Sequence, residues 1–80
     1  MVKFDYKKMG MEIKVHRFYC DITQSKLAEQ LGISQAHLCN IENGRLSPSL
    51  KLLVALKNVF KCSLDELIVE IEPEEESGKV

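Results

Sequence analysis

Between Ser34 and Arg45 the chain carries polar residues of an unusual kind for a surface. Placed on a helix at about 100° per residue, Gln35, Ala36, Cys39, Asn40 and Asn43 fall on one side, and Ser34, Leu38 and Ile41 on the other. The outer side is short-chained, rich in carboxamides and almost uncharged, whereas a helix face that only meets water normally carries Lys and Glu. A carboxamide donates and accepts at once. Asn or Gln can therefore form a paired hydrogen bond with adenine N6 and N7, and Ala or Cys can touch a thymine methyl. Each good paired contact discriminates between bases by about 1–3 kcal/mol. Gln35, Ala36 and Asn40 are the candidate base readers, with His37 and Cys39 as additional candidate contacts; a solvated polar face is the alternative. Other chemistry is poorly supplied. His16 and His37 lie on different segments, and no nucleophile, acid–base pair or phosphate-binding loop accompanies them, so no enzyme is expected. Cys20, Cys39 and Cys62 are an odd number without C-x-x-C spacing, which argues for free thiols rather than a disulfide framework or a metal site. No cofactor and no small-molecule ligand is implied.

The segments that must position this face are short and clearly punctuated. A helix is expected from about Tyr6 to Tyr19, capped by Asp5, with Met9, Ile13 and either His16 or Cys20 on its inner side. A second starts at Thr23 and ends at Gly32, with Leu27, Ala28 and Leu31 as its apolar stripe. Ser34 caps the third, which stops at Asn43-Gly44. The fourth follows Ser47-Pro48-Ser49 and offers Leu50, Leu53, Val54, Leu56, Val59 and Phe60 as a broad apolar face. The fifth opens on Ser63-Leu64-Asp65-Glu66, the pattern of a capping box, and ends near Val69. The expectation is an all-α, compact five-helix bundle. Val2-Lys3-Phe4 and Val69-Glu70-Ile71-Glu72 alternate, so each could form a short terminal β-strand, though fraying ends are the simpler expectation. Only Gly32-Ile33-Ser34 joins the second and third helices. A three-residue turn containing Gly, with small Ala28 at the point of closest approach, enforces a sharp crossing: a helix-turn-helix.

Composition sets the frame. Eighty residues, 45% hydrophobic and 29% charged, allow one small globular core. Residues 1–70 read as one domain and 71–80 as an acidic, disordered tail. The net charge of −1 hides an asymmetry: residues 1–69 hold ten Lys and Arg against seven Asp and Glu. A mildly basic body is compatible with phosphate binding. No signal peptide or membrane-spanning run is visible, so a cytoplasmic protein without a membrane partner is expected.

The sequence resembles the Cro/cI-type, or XRE-type, helix-turn-helix regulators of bacteria and phages. The resemblance runs over about residues 5–69, and is carried by Thr23-Gln24…Leu27-Ala28-Glu29-Gln30-Leu31-Gly32-Ile33-Ser34…Leu38…Ile41-Glu42-Asn43-Gly44-Arg45 and Ser63-Leu64-Asp65-Glu66-Leu67. It implies a lambda-repressor-like bundle whose third helix, about 35–43, reads the major groove of double-stranded DNA. It places Gln35, Ala36 and Asn40 at base-reading positions, and Gln24, Asn43 and Arg45 at backbone-contacting ones. Gln24 could equally be a plain helix-start residue, and Asn43 could serve only to end its helix. Arg17 and Glu42 match a structural ion pair between helices one and three. One module of this size offers few base contacts, so a homodimer on a palindromic operator is expected, with helix five and the residues after it as the contact. An antitoxin or protein-interaction module built on the same domain is the alternative function. There are departures: Val15, Phe18 and Tyr19 stand at usually polar positions, His16 at a commonly apolar one, and Asp21 at a frequent Gly.

Overall fold

In the computed structural model, which describes residues 3–71, four α-helices follow one another: α1 (Tyr6–Tyr19), α2 (Gln24–Leu31), α3 (Gln35–Glu42) and α4 (Leu50–Phe60). Each begins on a side-chain oxygen. Asp5, Thr23, Ser34 and Ser49 accept from the backbone N–H groups of Lys8, Lys26, His37 and Leu52 at 3.0, 3.1, 3.0 and 3.1 Å. Such a cap stabilises by about 1 kcal/mol, because the first turn has no internal partner for its N–H groups. The acidic stretch 72–80 lies outside the described residues.

The fifth helix is not formed as such. Leu64–Glu66 makes a single 3-10 turn. Glu66 accepts from the Ser63 backbone N–H at 3.1 Å and from its hydroxyl at 3.3 Å. Beyond Leu67 the β-branched residues Ile68, Val69 and Ile71 favour extended backbone, and an extended partner is at hand. The Asp5 N–H donates to the Val69 carbonyl at 2.8 Å and the Ile71 N–H to the Lys3 carbonyl at 2.9 Å. Phe4 and Glu70 form one antiparallel bridge. The two ends thus pair within the chain instead of fraying, and that pairing draws the backbone out of the helix the capping pattern starts.

The core is built from one stripe of each helix. Ile13, Leu27, Leu38, Ile41, Leu56 and Leu67 are fully buried, and each contributes about 1.5–3 kcal/mol relative to exposure. On α1 the buried side is Met9, Gly10, Ile13 and Arg17. His16 is half-buried and Cys20 exposed, so His16 is the one that borders the core. On α4 the inward stripe is Leu52, Leu53, Leu56 and Phe60, while Leu50 and Val54 are 66% and 39% exposed. The broad apolar face of α4 therefore splits. One part enters the core. Of the rest, Leu50 joins Phe4, Tyr6 and Pro48 around a shallow outer cleft.

Among the described residues, two with side chains sit in the left-handed region, Asp21 at φ 58° and Lys61 at φ 56°. Lys61 closes α4. A left-handed L-residue costs roughly 1–2 kcal/mol, and glycine's greater freedom in the unfolded chain takes back up to about 1 kcal/mol. Lys61→Gly should therefore stabilise the protein, by up to about 1 kcal/mol, read as a higher urea midpoint. Asp21→Gly should gain less, since Asp tolerates this conformation better than Lys does. A lower midpoint for Lys61→Gly would show that its alkyl chain matters more than its backbone.

Candidate nucleic-acid interface

The α2–α3 crossing rests on Gly32, at φ 74°, and on Ala28, which is buried against the core. Gly32 has open space where a side chain would stand, so glycine is required there by backbone conformation and not by crowding. The Ile33 N–H reaches back to the Ala28 carbonyl at 3.0 Å, which satisfies the end of α2 and turns the chain into Ser34.

From that turn α3 presents Gln35 and Ala36 as exposed residues, with Cys39 and Asn40 half-buried, and the turn after it exposes Asn43 and Arg45. Two local bonds run along this face. Asn43 Nδ2 donates to Cys39 Sγ at 3.4 Å, and Arg45 Nη1 donates to Asn40 Oδ1 at 3.3 Å. His37 is exposed and stands at the edge of this face, about 100° round the helix from Ala36 and about 60° from Asn40. It lines a groove with Leu31, Ile33, Ser47, Ser49 and Lys51, between the α2–α3 turn and the start of α4. Cys39 is engaged by Asn43, and His37 lies at the edge of the amide-lined face, on the groove toward α4.

Behind the face lies a polar chain that reaches the core. Arg17 donates from Nε to Glu42 Oε2 at 2.8 Å, from Nη2 to Glu42 Oε1 at 3.2 Å, and from Nη1 to the Ile22 carbonyl at 3.0 Å. Both side chains are buried, Glu42 to 1% exposure. Such a pair is tolerated only when the remaining lone pairs and protons are satisfied. The remaining partner is Gln24, whose Nε2 donates to Glu42 Oε1 at 3.1 Å. Gln24 Oε1 in turn accepts from Gln35 Nε2 at 3.3 Å. No buried side-chain nitrogen or oxygen is left without a partner among the described residues. The series Ile22–Arg17–Glu42–Gln24–Gln35 thus ties the first residue of α3 to the start of α2 and the last turn of α1. Arg17 also lies over the Phe18 ring, 4.8 Å from its centre, which shields the outer side of the ion pair.

Gly10 went unnoticed in the sequence. A Cβ there would stand 2.3 and 2.6 Å from the Ile41 and Glu42 carbonyl oxygens. The missing side chain lets α1 lie directly on the end of α3. The sign of it is an isolated Gly inside a helical pattern, which lowers helix propensity and so needs a packing reason.

His16, at a commonly apolar position, is satisfied by one bond within α1 and one to the turn after α4. Its Nδ1 meets the Glu12 carbonyl at 2.8 Å and its Nε2 meets Glu66 Oε1 at 3.4 Å, while its ring packs on Phe60 at 5.5 Å. The Ser63 amide, and then the His16 ring, hold the Glu66 carboxyl below its ordinary pKa.

Comparison with known proteins places this geometry. The helix-turn-helix model HTH_3 matches residues 20–67. The ImmF control region 10 kDa protein of Bacillus phage phi105 is 39% identical over 75 residues, 92% of this chain and 83% of that protein. An uncharacterized HTH-type transcriptional regulator of Methanocaldococcus jannaschii is 31% identical over 76% of this chain and 92% of its own length. Among solved structures, the P22 c2 repressor in complex with a synthetic operator superposes with a TM-score of 0.69 at 30% identity, over 74% of this chain and 89% of that one. The chain belongs to the helix-turn-helix family.

Proposed function

We propose that this chain binds double-stranded DNA sequence-specifically as a transcriptional regulator, with α3 in the major groove. The observation that carries the reading is the polar chain from Arg17 to Gln35. A solvated glutamine needs no buried ion pair to hold it, whereas a side chain that must meet a base edge in one geometry does. Gln35, Ala36 and Asn40 read bases; His37 and Cys39 are weaker candidates because each is turned aside or engaged. Gln24, Asn43 and Arg45 contact phosphates, which fix orientation and carry no sequence information. On binding, Arg45 exchanges the Asn40 carbonyl for a phosphate, and Asn40 is left with both halves of its amide for a base. A regulator of this kind works where DNA is kept, in the cytoplasm; among the described residues no helix is long and apolar enough to cross a membrane. The chain is read as a binder and not an enzyme.

A homodimer on a palindromic operator follows from the small number of base contacts one module offers. The exposed apolar residues Phe4, Tyr6 and Leu50, which line one outer cleft, support that arrangement. They move the expected contact from the residues after Ser63 alone to a surface shared with the start of α4. The second reading, a protein-interaction module or antitoxin on the same domain, is favoured by one feature. Met11, Phe18 and Tyr19 lie along the outside of α1 at 56%, 62% and 86% exposure, more than a lone regulator needs.

Selection of bound sequences from a random duplex pool, followed by stoichiometry, tests the reading. Against the selected site, Gln35→Ala and Asn40→Ala should each lose about 1–3 kcal/mol of discrimination at one base position and little elsewhere. Arg45→Ala should weaken all sequences alike and lower the salt dependence. Uniform losses for the first two, or no enriched sequence from the pool, would overturn the proposed readout.

A further inference from the structure

The turn after α3 has a deficit as a phosphate clamp. Its backbone amides are already used: Asn43 N–H bonds to the Cys39 carbonyl at 3.0 Å, Gly44 N–H to Ile41 at 3.1 Å, and Arg45 and Leu46 N–H both to Asn40, at 2.9 and 3.3 Å. It also sits at the negative end of the α3 dipole, which repels a phosphate. Asn43 is neutral, and Arg45 is the turn's own cation. A second cation is brought in from elsewhere in the fold. Gly44, at φ 79°, lies against Lys7 so closely that a Cβ at 44 would stand 2.7 Å from the Lys7 Cα and 3.1 Å from its Cβ. The first turn of α1 is therefore docked on the clamp turn, backbone to backbone. Gly10, one turn further along the same side of α1, seats on the Ile41 and Glu42 carbonyls and sets that depth. Lys7 itself is exposed, and among the described residues no carboxylate forms an ion pair with it.

We propose that Lys7 is a further DNA-backbone contact, presented by α1 beside Asn43 and Arg45, so that the clamp is assembled from two helices distant in sequence. The inference rests on the DNA-binding reading. It differs from a mere offset of the α3 dipole, which would need a cation at Lys7 for stability but not for binding. Lys8 supplies the control. It has the same charge and is also exposed, but lies about 100° further round α1, on the side away from Gly10 and α3.

The test compares the unsubstituted protein with Lys7→Ala, Lys7→Arg and Lys8→Ala by fluorescence anisotropy, on a selected duplex and an unrelated one, across a salt series. Thermal unfolding is followed in parallel. Lys7→Ala should bind both duplexes roughly 3- to 10-fold more weakly at low salt, and its log–log salt slope should be smaller by about 0.9, one phosphate contact. Lys7→Arg should bind like the parent, and Lys8→Ala should lose under about 2-fold, a long-range charge effect only. Equal losses for Lys7→Ala and Lys8→Ala would overturn the proposal, as would a lowered melting temperature for Lys7→Ala with unchanged affinity. If the unsubstituted protein binds neither duplex, the DNA-binding reading itself fails, which these variants do not decide.

Discussion

Arg17→Met should remove about 3–5 kcal/mol of stability, the typical result of stranding one partner of a buried ion pair. Arg17 supplies two of the three hydrogen bonds that reach the Glu42 carboxylate, and the third comes from Gln24. With the guanidinium gone, a carboxylate at 1% exposure keeps a single amide partner, and the Ile22 carbonyl loses its donor as well. For a small domain the loss is a large part of the total, so the urea midpoint should fall steeply. The double variant Arg17→Met, Glu42→Leu should recover most of it, because replacing both charges by apolar groups is often neutral or stabilising. DNA affinity should not recover with it. Gln24 would have lost the carboxylate that orients it, and Gln35 the amide that orients it in turn. A single variant with a midpoint close to the parent's would show that Glu42 reaches water. A stable double variant with full affinity would show that the polar chain does not position α3.

Gly10→Ala should destabilise by about 3 kcal/mol, the upper end for overpacking. The added methyl would meet the backbone oxygens of Ile41 and Glu42 at 2.3 and 2.6 Å and the Glu42 carbonyl carbon at 2.8 Å. No flexible side chain can yield there. Relief requires α1 to lift from the end of α3, which also separates Arg17 from Glu42 and Lys7 from Gly44. Alanine is by contrast about 1 kcal/mol better than glycine in a free helix, so propensity alone gives the opposite sign. Urea unfolding decides between them, and an unchanged or raised midpoint would mean that the two helices can part without loss.

Local structure was largely legible in the residues. Asp5, Thr23, Ser34 and Ser49 start helices because each can satisfy the N–H three residues on, a contact decided within one turn. Gly32 ends α2 because the left-handed conformation there suits glycine, and the Gly32-Ile33-Ser34 spacing alone announces the crossing. The amide-lined face of α3 could be drawn on a wheel. The fifth helix was misjudged for the same reason that the others succeeded. Ser63 and Glu66 are a local start signal, but Val69 and Ile71 are taken by Asp5 and Lys3, more than sixty residues earlier in the chain. A long-range partner outweighed a local one.

Relations between helices were decided by the tertiary structure. The wheel gave Leu50 and Val54 the same standing as Leu53 and Leu56, since periodicity tells which residues share a face and not where the neighbouring helices end. His37 and Cys39 are candidate contacts by sequence, yet one lines the groove toward α4 and the other is bonded to Asn43. The Arg17–Glu42 match came from family resemblance, while the sharing of Glu42 with Gln24, and of Gln24 with Gln35, required three helices in register. Gly10 shows only as an isolated glycine in a helical pattern and Lys7 has no signature, because what matters at each is the backbone at the end of α3 and in the turn after it. The residues by themselves determined which helices form, where they start, and which polar face one of them offers. Only packing decided how firmly that face is held and which charges gather beside it, since both depend on distances between residues far apart in the chain.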